Sequence, residues 1–296
     1  MTLPRKWLHT ACPEQLVNAT DKTDFDPTTV PIRPAATVIL VEDRPDLHVL
    51  MVHRTARMVF APDSWVFPGG RVDPTDHLDD FDTICQGLTD AEASRILDVE
   101  RGGLAWWIAA CRETLEEAGL LLAAGGAIET AVVDQLRERV RQDESIFADL
   151  LLERGLSLDV TAIEEVARFI TPLGPPRRFD ARFLVALAPL GQEPSHDQNE
   201  IVNWEWVRPQ TALDRWAANE MAMLSPTVRM ISCLSRFESA EQVMAVARQR
   251  LEYKRVRVDD PEGEYRVLLP GEPGYETADL EVETGWVRLW EPALNQ

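Results

Sequence analysis

Three glutamates, Glu113, Glu116 and Glu117, follow Arg112 in the run Arg112-Glu113-Thr114-Leu115-Glu116-Glu117-Ala118-Gly119. The apolar residues around them set their geometry. Leu104, Ile108, Cys111, Leu115 and Ala118 recur at spacings of four, three, four and three, which marks one buried helix face. That spacing predicts a helix over residues 104–118 that stops at Gly119, a residue suited to the left-handed conformation that ends helices. The three glutamates then share the face opposite the core. Local helix physics disfavours such a cluster. Like charges three and four residues apart repel by about 0.2–0.5 kcal/mol per exposed pair, and the macrodipole disfavours anions near a helix C-terminus. A hard divalent cation, Mg2+ or Mn2+, reverses the sign, because it takes oxygen ligands and typically bridges carboxylates to substrate phosphates. The competing reading is a solvated acidic face, partly compensated by Arg112.

The elements that must position this helix are legible on both sides of it. Residues 35–41, AATVILV, and 48–53, HVLMVH, are apolar and β-branched, with a turn at Pro45 between them. A third short strand, residues 65–67, leads into Pro68-Gly69-Gly70. Residues 77–103 are acidic and carry a capping-box pattern at Thr89–Glu92, so they hold a short helix. Mixed-charge helix is expected near 130–155, and strands return at 165–170, 179–187 and 201–207. Beyond 211, Ser225-Pro226 and Ser239–Gln242 each open a helix. The order of strands and helices predicts an α/β (α+β) protein.

The segment resembles the Nudix box, G-x5-E-x7-R-E-U-x-E-E-x-G-U, where U is aliphatic. Arg112, Glu113, Glu116, Glu117, Gly119 and Leu120 match its second half, with Thr114 at an aliphatic position. Gly70 matches its first residue, and Asp76 stands six positions on, where Glu is usual. Gly70 and Arg112 lie 42 positions apart where the pattern has 14, an excess of 28 that coincides with the acidic stretch. A long insertion inside the box is similar to the Nudix subfamily that includes peroxisomal coenzyme A diphosphatases. Thr171-Pro172 with Arg177-Arg178-Phe179-Asp180, and Leu268-Leu269-Pro270-Gly271-Glu272, also look like segments of that subfamily. In the run from His53 to Arg57, by contrast, Asp63 follows where the coenzyme A signature has glycine.

The resemblance implies a Nudix fold, a mixed β-sheet sandwiched between helices, with a helical insertion and a C-terminal extension. Residues 1–32 form an N-terminal arm, 33–210 the Nudix hydrolase domain with its insertion at 77–103, and 211–296 a C-terminal helical extension and tail. It implies metal-dependent cleavage of a nucleoside diphosphate linked to a second moiety. Coenzyme A or acyl-CoA leads as substrate, giving 3′,5′-ADP and a phosphopantetheine product. An ADP-ribose, NADH or nucleotide-sugar pyrophosphatase is the alternative, and a non-catalytic nucleotide-binding module is a third reading that the intact glutamates oppose. Glu116 and Glu117 are the expected principal ligands, Glu113 a ligand or base, and a backbone carbonyl at Gly69 or Gly70 a further ligand. Arg112 is expected to orient the glutamates by charge-assisted hydrogen bonds. Gly69, Gly70, Asp76 and Gly119 shape the box. Glu200 is the candidate general base, with an ordinary loop acid as the other reading. Arg54, Arg177 and Arg178 are candidate phosphate contacts, since guanidinium matches phosphate bidentately; exposed strand-end arginines are the other reading of Arg177 and Arg178. His53, Trp204 and Trp206 read as packing residues, and so do Trp106 and Trp107, for which stacking on adenine is the other reading.

Composition sets outer limits. The net charge of −20 over 296 residues, with no long Lys/Arg run, argues against nucleic acid. No stretch of about 18 apolar residues exists to span a membrane. Cys12, Cys85, Cys111 and Cys233 are too scattered for a disulfide framework or a zinc site, and no apolar leader follows Arg5 and Lys6, so a reducing cytoplasm is expected. Residues 293–296 are not a peroxisomal address. The partner is a nucleotide-derived small molecule; a homodimer through the C-terminal helices stays open.

Overall fold

The computed structural model describes residues 26–58, 61–77, 81–195, 200–259, 266–278 and 285–290. Most of the expected N-terminal arm, Cys12, His9, His196 and residues 293–296 lie outside them. The first half of the chain forms β1 (Ile32–Asp43), β2 (Leu47–Arg54), β3 (Trp65–Val66) and β4 (Gly69–Arg71). The expected insertion, residues 77–103, contains α1 (Phe81–Ile84), β5 (Cys85–Gln86) and α2 (Asp90–Leu97), and the glutamate-bearing helix starts as α3 (Leu104–Glu113). Next come α4 (Thr130–Gln142), α5 (Phe147–Glu153), β6 (Leu158–Asp159), β7 (Glu164–Ile170), β8 (Arg178–Leu187) and β9 (Ile201–Val207). The remainder supplies α6 (Pro209–Ala217), α7 (Ser225–Leu234), α8 (Ala240–Arg248), β10 (Lys254–Arg255), β11 (Arg257–Asp259), β12 (Arg266–Leu268) and β13 (Gly285–Val287).

Strand β1 organises the main sheet because it is apolar on both sides of its pleat. Ala36, Val38 and Leu40 pack against the α2–α5 side, while Ile39 and Val41 pack against α6, α7 and α8. Each such side chain, fully removed from water, contributes about 1.5–3 kcal/mol for a Val, Leu or Ile. The strand order is β10-β13-β7-β8-β1-β2-β3, with β4 also on β1 and β9 also on β2. β1 and β8 run parallel from the Ile32–Arg178 pair to the Val41–Leu187 pair, while the other partners of β1 are antiparallel. This is the expected mixed sheet between two helical layers. The edge of β1 facing β2 is shared. Ala35, Ala36 and Thr37 pair with β4, and Val41, Glu42 and Asp43 pair with β2. The fork seats Gly69 and Gly70 against the middle of the sheet.

Several local expectations are refined. The helix expected over 104–118 is α3 followed by a π-helical turn, Thr114–Ala118, closed by Gly119 at φ 67°. Thr114 Oγ1 donates back to the Ala110 carbonyl at 2.7 Å, and such back-bonding loosens the regular ladder. The helix near 130–155 is two helices, interrupted at Glu144–Ile146. The Thr89 capping box is complete. At Ser239 only half of it forms, since Gln242 Oε1 accepts from the Glu238 N–H instead. The segment beyond 211 lays α8 on the sheet and adds β10 and β13 to its edge. Among the described residues no helix is long and apolar enough to cross a membrane.

Candidate active site

Arg112 is the hub of the box. It is 1% exposed, and its guanidinium grips Asp76 with Nε and Nη2, both at 2.9 Å. Nη1 donates to Glu113 at 3.0 Å, Glu116 at 2.9 Å and, from the α4–α5 junction, Glu144 at 3.4 Å. Nη2 also reaches the Arg71 carbonyl at 3.1 Å. Burial alone would lower the proton affinity of this guanidinium; the carboxylates of Asp76, Glu113 and Glu116 more than offset it and hold it cationic. Arg112 therefore organises the box from beneath. Asp76, itself 2% exposed, is its partner across the insertion and is held by the Asp73 N–H at 2.7 Å.

The insertion and α4 brace the two ends of this helix. Asp90 on α2 accepts from the Gly102 and Leu104 N–H groups, each at 3.0 Å, and Ser94 accepts from the Gly103 N–H at 2.9 Å. A carboxylate at a helix N-terminus satisfies orphan donors and complements the dipole. At the other end, the Arg137 guanidinium donates to the Glu116 and Glu117 carbonyls at 2.9–3.1 Å and to Ser195 Oγ at 2.6 Å. A Cβ on Gly119 would stand 2.3 Å from Ser195 Oγ and 2.9 Å from Arg137 Nη1. Glycine there supplies both the left-handed cap and the space for this clamp.

The glutamates are not a solvated face, which corrects that reading. Glu117 is 6% exposed, and its Oε2 accepts from the Gly69 N–H at 2.9 Å while Oε1 lies 3.6 Å from Arg54 Nη1. Burial pushes the Glu117 carboxyl up to about 7, against Arg54 and the Gly69 hydrogen bond; nearby Glu200 and Glu116 push the same way as burial. Burial likewise pushes Glu113 up to about 8, with Arg112 opposing and Glu117 and Glu116 assisting. Glu116 is raised by burial and lowered by Arg112. Gly70 lies so close to Glu113 that a Cβ would stand 2.3–2.6 Å from its carboxylate atoms.

A cavity of about 580 Å3 opens above this turn. Of the expected residues, Glu113, Glu117, Gly69, Gly70, Arg54 and Arg177 line it, and so does Glu200. The Glu200 carbonyl accepts from the Thr55 N–H at 2.9 Å, tying this loop to the end of β2. Glu116 lies outside the lining, with Arg112. Arg178 turns away: its Nε donates to the Thr171 carbonyl at 3.1 Å and braces the loop before β8. Arg54 Nε is buried without a partner, a donor left over at the cavity edge. Arg57 and Arg71 also line the cavity but were not singled out from the sequence as contacts. Their signal was proximity to the motif: Arg57 closes the His53–Arg57 run and Arg71 follows the glycine pair.

His53 stacks on Trp65 at 4.8 Å and bonds Asp63 at 3.1 Å, a packing role. Asp63 has φ 55°, the backbone conformation that favours glycine, so the turn keeps its shape without one. Trp107 is 1% exposed and donates to the Ile163 carbonyl at 3.0 Å; Trp106 meets His77 edge-on. Trp204 and Trp206 are half-buried against the α2–α5 layer, with the Arg44 guanidinium over Trp206.

Carboxylates from one helical turn, raised by burial and facing a cavity, are donors of the chemical type a hard divalent cation takes. As they stand they are occupied by Arg112 and the Gly69 N–H. Among the described residues no three His, Cys, Asp or Glu groups converge on a single point.

Residues 32–234 match the NUDT19 Nudix domain. The chain belongs to this Nudix hydrolase family. Acyl-coenzyme A diphosphatase NUDT19 of Gallus gallus is 26% identical, over 70% of this chain and 69% of its own length. Putative nudix hydrolase 7 of Caenorhabditis elegans is 29% identical, over 69% of this chain and 61% of its own length. The chain thus spans 61–69% of the length of these two relatives. A NUDIX hydrolase structure from Alicyclobacillus acidocaldarius superposes with a TM-score of 0.62 at 27% identity, covering 73% of this chain and 97% of that one.

Proposed function

We propose that this Nudix hydrolase cleaves the pyrophosphate of coenzyme A or acyl-CoA, releasing 3′,5′-ADP and a phosphopantetheine product. The observation that carries the reading is the placement of Glu113 and Glu117 beside Gly69 and Gly70, at one end of a cavity edged by Arg54 and Arg177. Relatives named acyl-coenzyme A diphosphatase support the choice of substrate. Glu113 and Glu117, which face the cavity, would hold Mg2+ or Mn2+, and Glu116 would join them on leaving Arg112. A bound divalent ion neutralises phosphate charge and stabilises the leaving phosphate.

The chain's own groups do the rest. Arg112 fixes the carboxylates, and the Gly69 N–H holds Glu117 in place. Arg54, with its leftover Nε donor, and Arg177 grip the diphosphate oxygens. Glu200, which lines the cavity near Glu117, takes the proton from the attacking water. Water adds to one phosphorus, the bridging P–O bond breaks, and the second phosphate leaves.

Coenzyme A, acyl-CoA, ADP-ribose, NADH and UDP-sugars, each incubated with the protein and Mg2+ or Mn2+ and analysed by product mass, test the substrate. Coenzyme A compounds are expected to yield 3′,5′-ADP. Turnover confined to ADP-ribose would remove the assignment.

A further inference from the structure

The cavity has two unlike ends. The box end is charged, with Glu113 and Glu117 among the arginines. The apolar part of the lining runs from Phe67, beside the box turn, across β8 to β7 and on to the C-terminal segments. Phe67, Phe169 and Phe183 form an aromatic floor, with Phe169 edge-on to Phe183 at 5.1 Å and Phe67 edge-on to it at 6.2 Å. Leu224 and Pro226, at the start of α7, form a side. Val258 on β11 and Val267 on β12, register partners across that strand pair, form a wall.

The wall is held by polar contacts to α7 and to the segment after β12. The Val267 N–H donates to Ser225 Oγ at 3.1 Å, and its carbonyl accepts from Arg229. Arg229, 3% exposed, also forks onto Glu272 at 2.8 and 2.7 Å, and Glu272 accepts from the Leu269 N–H at 2.8 Å. The Leu268–Glu272 segment is therefore an anchor. A buried bidentate ion pair fixes two valines over an otherwise apolar recess. Hydrolysis of a pyrophosphate requires no such surface, so the recess serves the part of the substrate remote from the phosphates.

We propose that the β11–β12 wall receives the acyl chain of an acyl-CoA, and that Val258 and Val267 set the chain length accepted. This rests on the coenzyme A reading above. Each methylene carried from water into the recess favours binding about fourfold, and a side chain that fills the recess cancels that gain for the methylenes it displaces.

The test is kcat/KM for coenzyme A and for acetyl-, octanoyl- and palmitoyl-CoA with Mg2+ or Mn2+, for wild type, Val267→Phe, Val267→Ala and Val258→Ala. Thermal melts of each variant establish that it is folded. The readout is the ratio of octanoyl- or palmitoyl-CoA to acetyl-CoA, which general damage to the site does not move. Filling the recess with Val267→Phe is expected to lower that ratio at least tenfold. The alanine variants are expected to move it in favour of the longer chain. If coenzyme A turns over but the ratio is the same in all four proteins, the wall is refuted and the substrate reading stands. If no coenzyme A compound turns over in the wild type, the substrate reading fails and the wall proposal falls with it.

Discussion

Gly70→Ala isolates the position of one carboxylate from the stability of the fold. The new Cβ would stand 2.3 Å from Glu113 Oε1, 2.4 Å from Cδ and 2.6 Å from Oε2. Ordinary contact requires the Glu113 carboxylate to retreat by about 1 Å. That retreat is cheap, because the obstacle is the far end of a flexible side chain and no backbone atom. The expected cost in stability is under about 1 kcal/mol, the scale of a tolerated glycine substitution. Activity is expected to drop by about 100-fold, since a displacement of about 1 Å of a reacting group costs that much. Gly69→Ala is the contrast. Its Cβ would meet backbone, the Ala36 carbonyl oxygen at 2.4 Å and Thr37 Cα at 2.7 Å, so it is expected to lower the melting temperature as well as activity. Steady-state kinetics beside calorimetric melts separate the two. A Gly70→Ala enzyme with wild-type kcat would refute the placement of Glu113 in the reacting centre, and a melt as depressed as that of Gly69→Ala would refute the steric reasoning.

Three further outcomes follow from the same geometry. Arg112→Met leaves Asp76 buried without its cation, so a loss of about 3–5 kcal/mol is expected by denaturant titration; wild-type stability would contradict the hub. The raised Glu113 and Glu117, at about 8 and 7, make the metal-free folded state bind more protons than the unfolded chain between about pH 4.5 and 8. Stability therefore falls as pH rises through that window, and Mg2+ or Mn2+ should flatten the decline in melts taken with and without metal; identical pH profiles would oppose metal binding there. Arg177→Ala should raise KM about tenfold with little change in kcat, as for loss of a charged hydrogen bond, whereas Arg178→Ala should act through the Thr171 loop and lower the melting temperature. Equal kinetic effects from both would contradict their separate placement.

Short-range patterns carried much of this architecture. The periodicity of Leu104, Ile108, Cys111, Leu115 and Ala118 located the core face, and all five are buried. β9 covers the expected residues 201–207, although Val202 is exposed. The acidic stretch 77–103 forms the short elements α1, β5 and α2, whose Phe81, Ile84, Ala93 and Leu97 join the core of α3. What periodicity could not supply were relationships made by the fold. Glu116 pairs with Arg112 and lies outside the cavity lined by Glu113 and Glu117. Arg137 lies 20 residues from the Glu117 carbonyl it caps, in a helix that reads from its sequence as an ordinary mixed-charge surface. Neighbouring Arg177 and Arg178 diverge: Arg178 opens β8 and donates to the Thr171 carbonyl, whereas Arg177 lies in the loop before the strand and lines the cavity. Val258 and Val267 sit in a tail with no helical or strand period long enough to mark them, and only tertiary pairing brings them over the cavity.

The central claim is that the box carboxylates work through a divalent ion on a pyrophosphate. Hydrolysis of coenzyme A by wild type and Glu117→Gln, each titrated with Mg2+ and Mn2+ from an EDTA-stripped start, tests it most directly. Wild type is expected to be inactive in EDTA and to recover with added metal, and Glu117→Gln to remain at least 100-fold slower, the scale of a lost charge-stabilising group, while melting near the wild-type temperature. Full turnover in excess EDTA, or an undiminished Glu117→Gln, would contradict it.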